Sequence, residues 1–268
     1  MSGIALPLRG VPLRPATSRA ATITERNALV YFRLWYMFVS GFFEPFFYLL
    51  SIGIGVGALV GGVEIGGTTI RYESFVAPGM MAAAAMNGAV FDATFSIFFK
   101  LKYMKLYDSV VATPVSAREI AVGEIGWSLF RGGTYSVAFL LAMTALGFTE
   151  SWWSVLAVPA ALLIGLAFSA AGMALTSYMR TWHQFDFINL ALIPLFLFSA
   201  TFYPLDVYPR ALEIVVQVSP LYHGVALIRA LTLGAVGWHL LVHVAYLVAV
   251  GVAGAVVTGR RLERLLLR

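Results

Sequence analysis

FINLALIPLFLFSATFYPLDVYPRALEIVVQVSPLYHGVALIRALTL, residues Phe187 to Leu233, decides how this chain is read. Its opening third, Phe187–Tyr203, is apolar enough to enter a bilayer. Beyond Tyr203 the chain neither turns back nor becomes a polar loop. It stays half apolar and is interrupted at Pro204, Pro209 and Pro220. Proline removes a backbone donor and breaks helices, so this part cannot be one span. A broken apolar segment at membrane depth is tolerated only where it packs in protein or lines a water-filled path.

The rest of the chain sets that segment in a membrane protein. Of 268 residues 60% are hydrophobic and 12% charged, with a mean hydropathy of +0.85, which excludes an ordinary soluble domain. The apolar runs are continuous rather than alternating, which excludes a membrane β-barrel. The class expected is an all-α polytopic membrane protein with six spans, near 37–60, 75–99, 123–147, 154–178, 187–203 and 238–258. There is no cysteine, hence no disulfide or thiolate chemistry. The net charge of +5 comes from arginines and lysines beside apolar runs, which topology explains without nucleic acid.

Residues 1–20 lack the apolar core of a signal peptide and read as a flexible cytosolic tail, leaving 21–268 as a single transmembrane domain. Thr22 and Glu25 have the spacing of a capping box. The helix they would start places Ala28, Leu29, Phe32, Trp35 and Tyr36 on one face and Arg26 and Arg33 on the other. That is the pattern of a helix lying in the interface, arginines toward phosphate. Basic residues before the first span, after the second and fourth, and at the C-terminus all fall on one side, so both termini are expected in the cytosol. A seventh span through 211–234 would bury Glu213 and Arg229 and put the basic C-terminus outside, and is rejected for that reason.

Three ionisable residues fall inside spans: Glu44, Asp92 and Arg131. At about 1.5 Å per residue each lies about 10 Å inside the basic edge. Charges exposed to lipid cost several kcal/mol, so the three are expected to form one buried cluster. It is either the polar floor of a transport path or a structural ion pair. Around Pro45, Phe43 and Phe47 belong to an aromatic run that faces either a substrate or neighbouring helices and lipid. His239 and His243 are one helical turn apart, a metal-compatible spacing, but no acidic third ligand lies nearby and no metal site is expected. His183 and His223 read as isolated loop residues, and Glu64, Glu73 and Glu150 as ordinary loop acids.

The stretch from Lys100 to Glu124 is the longest cytosolic loop. Leu106, Tyr107 and Asp108 open a short helix, Thr113-Pro114 ends it, and Ser116 with Glu119 caps the next one. Such a helix, held between two spans, suits a partner that pushes on the membrane domain. No G-x-x-x-x-G-K-[ST] loop is present, so any ATPase is a separate polypeptide.

These features together resemble the permease subunits of type-2 ABC exporters, in particular nodulation-factor and daunorubicin-type export permeases. The resemblance rests on FEPFFYLLSIGIG (43–55), YESFVAPGMM (72–81), LYDSVVATPVSAREIAVGE (106–124), FYPLDVYPRAL (202–212) and SPLYHGVALIRAL (219–231). It implies a coupling helix near Leu106–Thr113 and short outer helices before the last span. It also implies a permease homodimer bound to two ATP-binding subunits, which carry the ATP and Mg, while this chain binds no cofactor and catalyses nothing. The location implied is the bacterial cytoplasmic membrane. The resemblance further implies outward passage of an amphipathic molecule, drug-like, lipid or lipo-oligosaccharide. Pro204, Asp206, Pro220, His223 and Arg229 would stand at the outer mouth, with membrane lipids as neighbours. A lipid-modifying membrane enzyme would need acids, histidines or a metal set gathered at one interface. An ATP-independent channel would need a repeated polar stripe.

Overall fold

A computed structural model describes residues 19–33, 43, 46–47, 49–65 and 67–266. The regular elements among the described residues are helices and one hairpin, and every element can be placed by the continuous helix Tyr72–Tyr103. This helix, α3, is 32 residues long and carries the chain about 48 Å. It is α-helical over Tyr72–Phe91 and then passes through two π-helical turns, Asp92–Ser96 and Phe99–Tyr103. Its middle, MMAAAAM, is nearly all small or flexible, which lets neighbours approach closely.

Before α3 come α1 (Arg19–Arg33), a π-helical turn Leu49–Ile54 leading into α2 (Gly55–Val60), and the antiparallel strands β1 (Gly62–Ile65) and β2 (Thr68–Arg71). After it come α4 (Leu106–Val111), α5 (Ala117–Ala145), and a 3-10 turn Trp152–Leu156 running into α6 (Ala157–Thr176). The chain closes with α7 (Phe185–Leu197), α8 (Arg210–Val218), α9 (Pro220–Leu233) and α10 (Leu240–Leu266).

The hairpin and α4 sit at opposite ends of α3, which defines two ends of the molecule. One, here the basic end, collects α1, α4, the start of α5 and the finish of α10, where Arg118 Nε meets Glu263 Oε1 at 2.6 Å. The other collects the hairpin, the finish of α5, α8 and α9. There Arg71 lies over the Phe148 ring, and the Glu150 and Ser151 amides donate to the Thr232 carbonyl. Small residues set the helix crossings. A Cβ on Gly254 of α10 would lie 2.7 Å from the Ala170 carbonyl carbon and the Ala171 nitrogen of α6, so the two backbones touch there. The main core joins Met81 and Met86 of α3, Ile164 of α6, Val225 and Ile228 of α9, and Leu247 of α10. A second core at the basic end joins Ile23, Ile97, Tyr107, Ile120, Met173 and Leu262.

Among the described residues three helices are long and apolar enough to cross a membrane on their own: Tyr72–Tyr103, Trp152–Thr176 and Leu240–Leu265. The 29-residue α5 runs beside them. The helix of the expected fifth span is shorter than its apolar run: α7 stops at Leu197 after 13 residues, about 20 Å, and non-helical backbone carries the chain on to Thr201, which packs on Gly79 toward the far end of α3. Phe198 leaves helical geometry and Ala200 takes a left-handed φ of 55°. The physical reason is Arg229 of α9, which captures the Ala200 and Thr201 carbonyls. Helices α8 and α9 are short, as expected before the last span, and meet at 85°, so they form no straight seventh span.

Other expectations are corrected too. The first described helix already runs from Arg19, so Thr22 is inside it and is no cap. The hairpin was unforeseen, and Glu73 is in the first turn of α3 rather than in a loop. Positions 37–42, 44, 45 and 48 of the expected first span, with Glu44 and Pro45, and residues 1–18 of the expected tail lie outside the described residues.

Candidate functional site

The basic end holds the most elaborate polar arrangement. Ser116 and Glu119 form the expected capping box: the Glu119 amide donates to Ser116 Oγ at 3.2 Å and the Ser116 amide to Glu119 Oε2 at 2.7 Å. Hydrogen bonding from the Ser116 amide, and then from the Ser116 side chain, holds the Glu119 carboxyl below its usual range. The capped α5 start leaves a short link back to α4. On the other side of α4, Lys105 takes a left-handed φ of 46°. The helix is therefore clamped between two tight connections. Asp108, Thr113 and Pro114 are exposed, Leu106 is half-buried, and Tyr107 points inward and is buried. Arg19 of α1 reaches across to donate to the Pro114 carbonyl at 2.6 Å.

Tyr107 leads to a residue that the sequence pattern does not single out. Its hydroxyl donates to Glu124 Oε1 at 3.0 Å. Glu124 Oε2 accepts from Lys100 Nζ at 2.6 Å and from Asn27 Nδ2 at 2.9 Å, and Arg26 Nη2 lies 3.6 Å from Oε1. One buried carboxylate thus gathers side chains of α1, α3, α4 and α5. Burial, and then the Glu124 carboxylate, push the Tyr107 phenol well above its usual range. Arg26 was expected to point to lipid phosphate and turns inward instead. The reason is Gly123: with no side chain there, α1 lies directly on α5, and Thr24 Oγ1 donates to the Gly123 carbonyl at 2.8 Å. That contact puts Ile23 and Asn27 on the buried face and leaves Leu29 exposed.

Deeper along the same helices, Arg131 Nη2 of α5 approaches Asp92 Oδ1 of α3 at 2.7 Å. Both residues are buried, and Asp92 opens the first π-helical turn of α3. Two members of the expected cluster are therefore together, and the third, Glu44, lies outside the described residues. Phe43 and Phe47 are exposed and stacked on one another at 5.5 Å.

The opposite end is closed by α9. Arg229 was expected at the outer mouth, beside Asp206 and membrane lipids. Instead it turns to backbone: Nε donates to the Phe75 carbonyl at 3.1 Å and Nη2 to the Ala200 and Thr201 carbonyls at 2.8 and 3.2 Å. Its guanidinium lies 3.8 Å from the Phe75 ring centre. A planar fork of donors suits several carbonyls converging from different elements, and the capture of Ala200 and Thr201 ends α7 early. Gly79 of α3 makes room for Thr201, since a Cβ there would lie 2.8 Å from its methyl. Asp206 is exposed in the 3-10 turn that Pro204 introduces, and Pro220 is the first residue of α9.

His223 is corrected as well: it is in α9, buried, not in a loop. Its Nδ1 lies 2.7 Å from Nδ1 of His243 on α10, with the Tyr246 ring stacked on it. His243 thus pairs across helices with His223. Among the described residues no group of three or more histidines or acids is placed to hold a metal.

Comparisons with known proteins fall into one family. The ABC-2 type transporter model matches residues 19–233, from the first described residue to the end of α9. Nodulation protein J of Rhizobium leguminosarum bv. trifolii is 31% identical, over 71% of this chain and 72% of the relative. Nodulation protein J of R. leguminosarum bv. viciae is 29% identical over 84% and 86% of the two chains. The inner membrane transport permease YadH of Escherichia coli K12 is 22% identical over 67% and 68%.

Proposed function

The chain belongs to the ABC-2 type transporter family, a multi-pass membrane subunit rather than an ATPase, and from that membership we propose that it is the permease of an ATP-driven exporter. A homodimer of this chain binds two copies of an ATP-binding subunit, which hold ATP and Mg. The complex sits in a bacterial cytoplasmic membrane and moves an amphipathic molecule outward between the two permeases. A drug-like compound, a lipid or a lipo-oligosaccharide suits a path bordered by aromatic side chains such as Phe43 and Phe47, with few fixed charges.

The observation that carries this reading is α4. It is a six-residue helix with an exposed face, clamped between the ends of two long helices and anchored inward through Tyr107. A helix so short and so tightly linked moves as a body when pushed. The surrounding end carries Lys100, Lys102, Lys105, Arg118, Arg260, Arg261 and Arg264, against Arg71, Arg210 and Arg229 at the other end. By the positive-inside bias the basic end is cytosolic, where an ATP-binding subunit reaches it. The Asp92–Arg131 pair then lies on the cytosolic half of the path, and α8 and α9 close the outer mouth.

Purification of the tagged chain together with an ATP-binding partner, followed by ATP hydrolysis in proteoliposomes, tests this. The expected result is a stable complex whose hydrolysis rises when an amphipathic substrate is added. A chain that purifies without any ATP-binding protein contradicts it.

A further inference from the structure

Four elements converge on Glu124, and the donors are of unequal kinds. Lys100 and Asn27 hold one carboxylate oxygen, while Tyr107 holds the other, with Arg26 nearby. The carboxylate has only one negative charge for two cations, so its partners compete for it. Tyr107 is the one contact that belongs to α4. Without it, Glu124 still has a lysine, an arginine and an amide to satisfy it. The carboxylate therefore keeps partners from α1 and α3 whether or not α4 holds it, while the buried Tyr107 hydroxyl is the contact that ties α4 to them. A contiguous hydrogen-bond network of this kind passes a displacement from one element to others.

We propose that Glu124 is the joint through which a push on α4 reaches α1 and α3, making it a positioning residue for energy coupling. This rests on the reading of α4 as the docking helix. When the partner shifts α4, the Tyr107 hydroxyl shifts the carboxylate, and the carboxylate carries Asn27 of α1 and Lys100 of α3 with it. Gly123, one residue earlier, holds α1 against α5 closely enough for that shift to be felt. Asp92 and Arg131 lie further along the same two helices, α3 and α5, so the movement is directed toward the polar pair inside the membrane domain.

The chain has no cysteine, so a pair of spin labels can be placed at will. Cysteines replacing the exposed Leu29 on α1 and Glu64 in the hairpin report the distance from α1 to the far end of the molecule. The measurement is made on the purified complex with its ATP-binding subunit, with and without MgATP. The parent complex is expected to change that distance on MgATP addition. Tyr107→Phe removes one hydroxyl, and Glu124→Gln removes the charge. Both are expected to leave a complex that assembles and hydrolyses ATP, while the fraction of molecules that switch falls by about fivefold or more. Adding Lys100→Met to Glu124→Gln is expected to change little further, because one joint is broken only once.

A full MgATP-driven change in Tyr107→Phe and Glu124→Gln overturns the proposal. So does a loss of thermal stability in both with an unaltered change in the surviving complex, since that marks Glu124 as purely structural. If Glu124→Gln fails to fold, Tyr107→Phe decides alone. If the parent chain forms no complex, the docking reading itself falls, and the joint with it.

Discussion

Two glycines on α5 are expected to respond to alanine in opposite directions. A Cβ on Gly123 would lie 2.7 Å from the Ala20 carbonyl oxygen and 2.7 Å from Ile23 Cβ of α1. Carbon atoms pack at about 3.5–4.0 Å, so α1 must retreat by about 1 Å. That retreat takes the Thr24 to Gly123 hydrogen bond, now 2.8 Å, out of bonding range. Overpacking of this kind costs about 1–3 kcal/mol and the lost bond about 1 kcal/mol more. Gly132, further along the same helix, meets nothing within 4 Å among the described residues. Both alanines gain about the same helix propensity, roughly 1 kcal/mol, which cancels when they are compared. Gly123→Ala should therefore be less stable than Gly132→Ala by about 2–4 kcal/mol. Denaturant unfolding of both variants in the same detergent, followed by tryptophan fluorescence, gives the difference directly. Equal stabilities, within about 0.5 kcal/mol, would refute the close seating of α1 on α5.

Other expectations concern single groups. Arg131→Met leaves Asp92 buried and unpaired and should cost about 3–5 kcal/mol in the same unfolding assay, whereas Arg131→Met with Asp92→Leu should recover most of that loss. Arg229→Lys keeps the charge but not the fork. It should loosen the Phe75, Ala200 and Thr201 contacts, seen as faster proteolysis between α7 and α8, and lysine should protect little better than alanine. Glu119 has a lowered carboxyl pKa because it accepts from the Ser116 amide. Its contribution is therefore present above the ordinary carboxylate range and is lost as pH falls through the lowered folded value. Amide exchange at the start of α5 should rise on acidification through that window, Glu119→Gln should remove the pH response, and Ser116→Ala should cost about 1 kcal/mol while keeping it.

How far the sequence discloses the fold depends on how local each signal is. The Ser116–Glu119 cap, the break at Thr113-Pro114 and the α8–α9 corner depend on residues within a few positions of one another, and they were readable. The Asp92–Arg131 contact was readable for a different reason: intramembrane charges have so few tolerable partners that proximity in depth nearly names them. The hub at Glu124 was not, because Asn27 and Glu124 are 97 residues apart and nothing in the interfacial pattern of α1 announces a buried asparagine. The inward turn of Arg26 depends on Gly123, whose role is only the absence of a side chain. The early end of α7 was likewise hidden. The apolar run continues through Phe202, and it is Arg229, from a later helix, that takes the carbonyls of Ala200 and Thr201. The His223–His243 pair joins α9 to α10, whereas helical spacing within the expected last span, 238–258, pointed to His239 instead.

The direct test of the central claim is where an ATP-binding subunit touches this chain. Single cysteines are placed at exposed Thr113, beside α4, and at exposed Glu64, in the hairpin at the far end of α3. Each carries a short photo-crosslinker in membranes that also contain the ATP-binding partner. Cross-linking to that partner from position 113 and not from 64 is the predicted result. Cross-linking from 64 in place of 113, or from neither, would contradict the assignment of α4 as the docking helix and of the basic end as the cytosolic face.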